Sequence, residues 1–538
     1  MKAAMTHGLS ILSLTAALVL GVPAGASGKT LVFCSEGDPG SLNPQTANTV
    51  TVADAALPMF DNLVAVPPGG GLVGPALAES WDVSPDGRQY TFHLRRGVRF
   101  HTTKRFTPSR DFDADDVLFS FNRQWRADNP FHKPASGRFD YFQDMEFPTL
   151  LEGIDRIDDH TVRFRLTQAE APFLADLAMS FASIMSAEYA QAMLKAGTPD
   201  ALDTDPVGTG PFVFDSYRKD VTIRYTAFAD YWAGRPPVDT LVFSITPNAS
   251  VRLNKLRSGE CQVMTYPAPA DAPRIARDPD LVLLRQEGLN VGYMAMNTQW
   301  GPLKDVRVRR ALNMAVDKAT LVDTVYGVTG TPAKNPLPPT IWSYDDAVPA
   351  YPYDVAAARK LMIEAGQANG FDVDVWYMPV TRPYNPDGKR IAEMVADDLG
   401  RIGVRAHLRT TTWSDYRRIV VTGEMPVAFF GWISDNGDPD NFLGLLLGCD
   451  RDGRASANNI AKWCDPAYDR LVEAAKATSD RPERDRLYRA AQGIAHDQAP
   501  WVPLAHGAML GAARRSVTGY KLDPFGRNNF AKVDLQAE

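Results

Sequence analysis

The chain has 538 residues, with 57 Lys plus Arg against 64 Asp plus Glu and a formal charge of -7. Its 45% apolar and 22% charged residues exclude a disordered or low-complexity chain, and its length exceeds one simple core. The acidic balance argues against a nucleic-acid binder, which carries a clustered basic face.

Residues 1–26 read as a secretory signal peptide. Lys2 supplies a positive start, residues 9–22 (LSILSLTAALVLGV) are apolar, and Ala24-Gly25-Ala26 fits a small-residue cleavage site. A membrane helix needs a longer run of about 20 residues. No Cys stands at the cleavage site, so no lipid anchor on Cys is expected. The first cysteine is Cys34.

The N-terminal half then reads as strands and hairpins. Residues 81–83 and 89–94 flank Ser84-Pro85-Asp86-Gly87, a turn signal between alternating segments. Residues 113–125 (DADDVLFSFNRQW) predict a helix. Asp115 and Asp116 suit its positive N-terminus, and Val117, Leu118, Phe121 and Trp125 form one stripe. A second hairpin spans residues 154–166, with Asp158-Asp159 at its turn. Residues 305–325 predict a helix pair stopped by Gly327. Helices over 354–365 and 390–402 each precede a short apolar strand, 371–378 and 404–408. Helix followed by strand, repeated, predicts α/β lobes. The run 427–432 (VAFFGW) predicts a strand feeding an acidic loop. Composition alone does not divide the chain into domains.

There are four cysteines, Cys34, Cys261, Cys449 and Cys464. In an oxidising compartment two disulfides are expected, and four cysteines allow about three pairings. Cys449 and Cys464 enclose a short polar loop and make the simplest pair, which leaves Cys34 with Cys261. A metal site is the rival, without a CxxC or a His near any Cys in sequence.

Enzyme signatures fail on context. The glycine run 69–74 matches GxGxxG in form, but it follows Pro67-Pro68 rather than a strand. GxSxG, HExxH and GxxxxGK[ST] do not occur. No catalytic residue, cofactor or metal ligand is therefore expected. Two loops stand out instead. The first, 434–441 (SDNGDPDN), admits three readings: calcium, plain turn chemistry, or recognition of an ammonium by an Asp at a strand's end. The second carries Arg382 in a Pro-rich loop past an apolar strand, where its planar fork would suit a carboxylate or simply face solvent.

These loops belong to a longer series of matching segments. They are 29–37 (KTLVFCSEG), 77–101 (LAESWDVSPDGRQYTFHLRRGVRFH), 169–186 (AEAPFLADLAMSFASIMS), 208–212 (GTGPF), 241–252 (LVFSITPNASVR), 382–386 (RPYNP) and 431–442 (GWISDNGDPDNF). In this order they resemble the periplasmic dipeptide-binding proteins of the peptide/nickel/opine solute-binding family, which feed ABC transporters. The resemblance implies an α/β, two-lobed periplasmic-binding-protein fold of type II, of the large cluster-C kind, with an extra N-terminal subdomain and a hinge. Lobe I would comprise 27–287 and 506–538, and lobe II 288–505, with crossings near Gly288-Leu289-Asn290 and near His506. It pairs Cys34 with Cys261 and Cys449 with Cys464. It makes Asp435 the ligand of a peptide ammonium and Arg382 the ligand of its carboxylate. Trp432, Ile433 and Ser434 would supply backbone contacts, with Ser434 standing where the family commonly has Gly. Thr49, or its neighbour Asn48, would touch the ligand as well. The implied protein is a periplasmic monomer that binds a dipeptide, partners an inner-membrane permease and catalyses nothing. The alternatives are another ligand (tripeptide, glutathione, haem or opine) or, from another class, a secreted peptidase.

Overall fold

The computed structural model of the protein describes residues 28–46, 49–70, 72–134, 138–450 and 452–536. The expected signal peptide, 1–26, and Asn48 lie outside the described residues.

The local predictions hold where the chain's own chemistry fixes them. Gln89–Leu94 buries Tyr90, Phe92 and Leu94 on one face and turns Gln89, Thr91 and His93 to the other. Its partner Ala78–Val83 joins it through a turn at Gly87, whose φ of +67° is a left-handed value that favours glycine. The helix Ala114–Trp125 is capped by Asp113 in a reciprocal capping box with Asp116. The helix expected at 390–402 runs instead over Gly388–Gly400, because Asp387 caps it by accepting from Arg390 N. The glycine run of 69–74 is no dinucleotide turn: Gly74–Pro75 pairs with Val64–Ala65 as a short ribbon.

Three larger sheets organise the chain. A seven-stranded sheet has the order Leu281–Gln286, Met509–Arg514, Val263–Thr265, Thr30–Ser35, Thr240–Ile245, Thr222–Ala227 and Phe212–Arg218. A six-stranded sheet has the order Gly330–Pro332, Trp501–Gly507, Asn290–Met296, Val427–Ile433, Phe371–Trp376 and Val404–Arg409. A four-stranded antiparallel sheet, built from the two predicted hairpins, carries its own aromatic core around Phe92, Phe121, Phe164 and Phe173. Asn290–Met296 is buried along its whole length. Its side chains divide with period two: Val291, Tyr293 and Ala295 enter one core, Met294 and Met296 the core on the opposite face.

The chain passes between the large sheets twice, at residues 287–289 and at residue 508. The two passages lie side by side. Asn290 Nδ2 donates to Gly507 O (2.6 Å), and Gly507 N donates to Asn290 Oδ1 (2.8 Å). His506 Nδ1 adds a hydrogen bond to Asn290 O (2.8 Å). A side chain at position 288 would collide with Asn290 and Gly507, so the passage needs glycine there.

Disulfides join Cys34 to Cys261 and Cys449 to Cys464, with Cα–Cα distances of 5.8 and 5.3 Å. No helix among the described residues is long and apolar enough to cross a membrane.

Candidate functional site

Two neighbouring parallel strands deliver the two predicted loops. Phe371–Trp376 pairs in parallel with Val427–Ile433 through Val375–Val427 and Trp376–Ala428. Arg382 lies past the carboxyl end of the first and Asp435 past that of the second, the end where open α/β sheets bind ligands.

The Asp435 loop is fixed to its own strand and to the first passage between sheets. Ser434 N donates to Leu289 O (2.8 Å), and Ser434 Oγ accepts from Gly437 N (2.9 Å). Ser434 thus uses its hydroxyl to close the turn that Gly437 makes at φ +79°. Asn441 braces the next residue: its Oδ1 accepts from Asp435 N and from Trp432 Nε1, both at 2.9 Å. The half-buried Asp435 carboxyl then accepts from Asn441 Nδ2 (3.2 Å) and from Tyr141 Oη (2.8 Å). Both donors are neutral, and Asp435 has no ion-pair partner among the described residues. Burial pushes its carboxyl up to about 6; the charge of Asp144 adds to the rise, while the two hydrogen bonds and the Arg527 charge oppose it. Ile433 and Trp432 are half-buried strand residues, paired with Asn290 and Val291.

The calcium reading of this loop loses one of its acids. Asp438 receives Arg484 at 2.8 Å on each oxygen, and both side chains are buried.

The Arg382 loop is held by glycines. Arg382 N donates to Asn385 O (3.0 Å) and Asn385 N to Arg382 O (2.9 Å), closing a tight turn. Within that turn, Pro383 and Tyr384 lie directly on the six-stranded sheet. A Cβ on Gly292 or Gly431, which face each other on paired strands, would collide with Tyr384, and one on Gly507 with Pro383. Tyr326 Oη fixes the loop by donating to Tyr384 O (2.7 Å). The half-buried Arg382 guanidinium spends one hydrogen bond on Thr381 O (2.8 Å) and stands 5.9 Å from the Trp413 ring. No carboxylate pairs with it among the described residues. Its charge also reaches the half-buried Tyr266, which holds φ +50°, a left-handed value rare for a bulky residue.

Thr49 has a helix-capping role. Its hydroxyl accepts from Val52 N (3.4 Å) at the start of Val50–Ala56. Sequence reasoning missed Tyr141, Tyr266, Trp413 and Asn441. Only the strand glycines Gly292 and Gly431 carried a signal, because an isolated glycine inside a strand marks close approach of another segment.

Residues 73–454 match the family model for bacterial extracellular solute-binding proteins, family 5 (middle region). This chain belongs to that family. A dipeptide-binding protein of Escherichia coli (strain K12) is 48% identical over 530 residues, covering 98% of both chains. A heme-binding protein A of Haemophilus influenzae is 46% identical over 514 residues, covering 95% of this chain and 93% of that one. Among solved structures, a dipeptide-binding protein from Pseudoalteromonas sp. SM9913 in complex with Met-Leu superposes with a TM-score of 0.86 at 38% identity, covering 94% of this chain and all of that one. The fold of this solute-binding protein is accordingly the two-lobed one of family 5.

Proposed function

We propose that the protein is an exported, non-enzymatic receptor that captures dipeptides between its two lobes and delivers them to an ABC permease in the inner membrane. The proposed lobes are 27–287 with 506–538, and 288–505. Removal of 1–26 would release the chain into the periplasm, where it acts as a monomer.

One observation carries this reading. Asp435 and Arg382 are half-buried charges of opposite sign, unpaired among the described residues, at the carboxyl ends of adjacent parallel strands. A dipeptide at neutral pH is a zwitterion whose charged ends lie about 7 Å apart when extended. Asp435 takes its ammonium, Arg382 its carboxylate. Trp432, Ile433 and Ser434 offer backbone groups, and Thr49 lines the approach. Each charge-assisted hydrogen bond contributes roughly 1.5–3 kcal/mol, and a buried charge left unpaired costs several. Length is therefore read at both ends, while the side chains between are left free to vary. The Escherichia coli relative is a dipeptide-binding protein and the Pseudoalteromonas one is in complex with Met-Leu, which supports the same class.

Calorimetric titration of the refolded mature protein tests this reading. Ala-Phe is compared with N-acetyl-Ala-Phe, trialanine, glutathione and haem, the last because one relative is a heme-binding protein. Tight binding of Ala-Phe alone is expected. Binding of haem or glutathione without Ala-Phe would overturn the dipeptide assignment.

A further inference from the structure

Residues 435, 436 and 437 each touch a segment from the opposite proposed lobe. Asp435 accepts from Tyr141 (2.8 Å). Asn436 Nδ2 donates to Asp176 Oδ1 (2.7 Å). Gly437 lies beneath Phe525, whose Cζ would be 3.2 Å from a Cβ at that position. The middle contact differs from its neighbours, because both of its polar side chains are almost wholly enclosed: Asn436 is 6% exposed and Asp176 4%.

The Asn436 amide has no freedom to turn. Its Oδ1 accepts from Asp438 N (2.9 Å), which leaves Nδ2 facing Asp176. Asp438 is in turn pinned by Arg484, whose Nε donates to Ala475 O (3.0 Å). The geometry of the loop around Asp435 thus decides whether Asn436 meets Asp176.

We propose that Asn436 and Asp176 form a latch that couples occupancy of Asp435 to closure of the two lobes. This coupling rests on Asp435 being the ammonium ligand, as proposed above. The turn 434–439 already presents Asn436, and an ammonium on Asp435 favours the ionised carboxyl that Tyr141 holds from the other lobe, so occupancy strengthens the same closed face that carries the latch. In an open form both latch side chains are hydrated, so their bond contributes only to the closed one. A ligand shifts an equilibrium by its differential affinity for the two states, and the latch enlarges that difference. Asn436 and Asp176 are positioning residues and need not touch the ligand.

Asp176 suits this place as a neutral acid. Burial pushes it up to about 8; Asp440 and Asp438 opposite add to the rise, against the Asn436 hydrogen bond and the Lys476 charge. Glu170, on its own segment, is also raised well above the carboxylate range by burial. The latch needs an accepting oxygen at 176, and an amide supplies one.

The test uses the full mature chain as wild type, Asn436→Ala, Asp176→Ala, the double variant and Asp176→Asn. Ala-Phe affinity and dissociation rate are measured beside small-angle scattering with and without ligand. Each alanine variant is expected to bind about tenfold more weakly through faster dissociation, since a buried partner is left unsatisfied. The double variant should be no weaker than either single one, and Asp176→Asn should stay within about threefold of wild type by keeping the acceptor. Wild-type affinity in Asn436→Ala, or single losses that simply multiply in the double variant, would overturn the latch. Should Asp176→Ala fail to fold, the Asn436→Ala and Asp176→Asn pair decides alone. Failure of wild type to bind Ala-Phe would instead overturn the ligand assignment. The latch is then read from the compaction that whichever competitor binds produces: its loss in Asn436→Ala supports the latch, and its retention overturns it.

Discussion

Asp435 and Arg382 are each held by neutral groups, Asp435 by Tyr141 and Asn441, Arg382 by the carbonyl of Thr381. Removing either charge should therefore leave the fold intact and expose the ligand's own charge to an empty partner. Asp435→Asn and Arg382→Ala are each expected to weaken Ala-Phe binding about a hundredfold or more. Calorimetry beside circular dichroism checks this, and unchanged affinity in a folded variant would reject the assignment. The pH dependence follows from the same carboxyl. With Tyr141 closed against it, burial pushes Asp435 to about 6, whereas a bound ammonium favours its ionised form. Binding then releases a proton below that value, so affinity should fall as the pH drops through about 6, by at most about tenfold per unit. A flat profile between pH 5 and 7 would contradict it. The two loops stand out in the sequence as turn-rich segments past apolar strands, but the roles proposed for Asp435 and Arg382 come from the resemblance and not from spacing. Tyr141 does not stand out, since it reaches Asp435 from 294 residues away, and no spacing rule spans that distance.

At the scale of elements, the Arg382 loop is placed by what the sheet lacks. Gly292 and Gly431 form a flat patch on paired strands, and Tyr384 occupies it, its ring over Gly431 and its carbonyl over Gly292. Gly431→Ala should lift Tyr384 and swing Arg382 out of register. It is expected to cost about 1–3 kcal/mol of stability, as overpacking does, and to weaken Ala-Phe binding further than the stability loss alone would. Thermal unfolding and calorimetry on one preparation check both effects, and normal binding would show that the loop has another anchor. The hairpins and helices were readable from period and capping because those signals are local, as with Asp113 and Asp116 at one helix start. The glycines within 291–293 and 430–432 were equally visible, but period alone does not say which distant segment rests on them. Thr49 is a local case of the same kind: its hydroxyl caps Val50–Ala56, while the ligand contact proposed for it comes from the resemblance.

At the scale of the molecule, each disulfide closes a segment of very different length. Cys34–Cys261 spans 227 residues and Cys449–Cys464 only 15. Neither crosses between the two large sheets in the proposed division, so both stabilise without tying the lobes together. Replacing Cys34 and Cys261 by Ala should destabilise the protein by about 2–5 kcal/mol, and more than the same change at Cys449 and Cys464 if chain entropy dominates. Denaturant titration of the two double variants checks the order. The division of the chain was not legible from composition, whose charge and hydrophobicity are even throughout. It became readable only through the ordered series of segments that resemble a known family.

The paired passages between the sheets have a mechanical meaning. Two independent linkers would let the lobes slide and twist as well as swing. Here the Asn290 side chain exchanges hydrogen bonds with Gly507 in both directions, and His506 adds a third. Shear between the strands would break all three, whereas bending across them breaks none. The two covalent threads therefore act as one wide strap, stiff along its length and soft across it. The relative motion of the lobes is reduced to a door's, and a ligand that shuts it has one direction to work against.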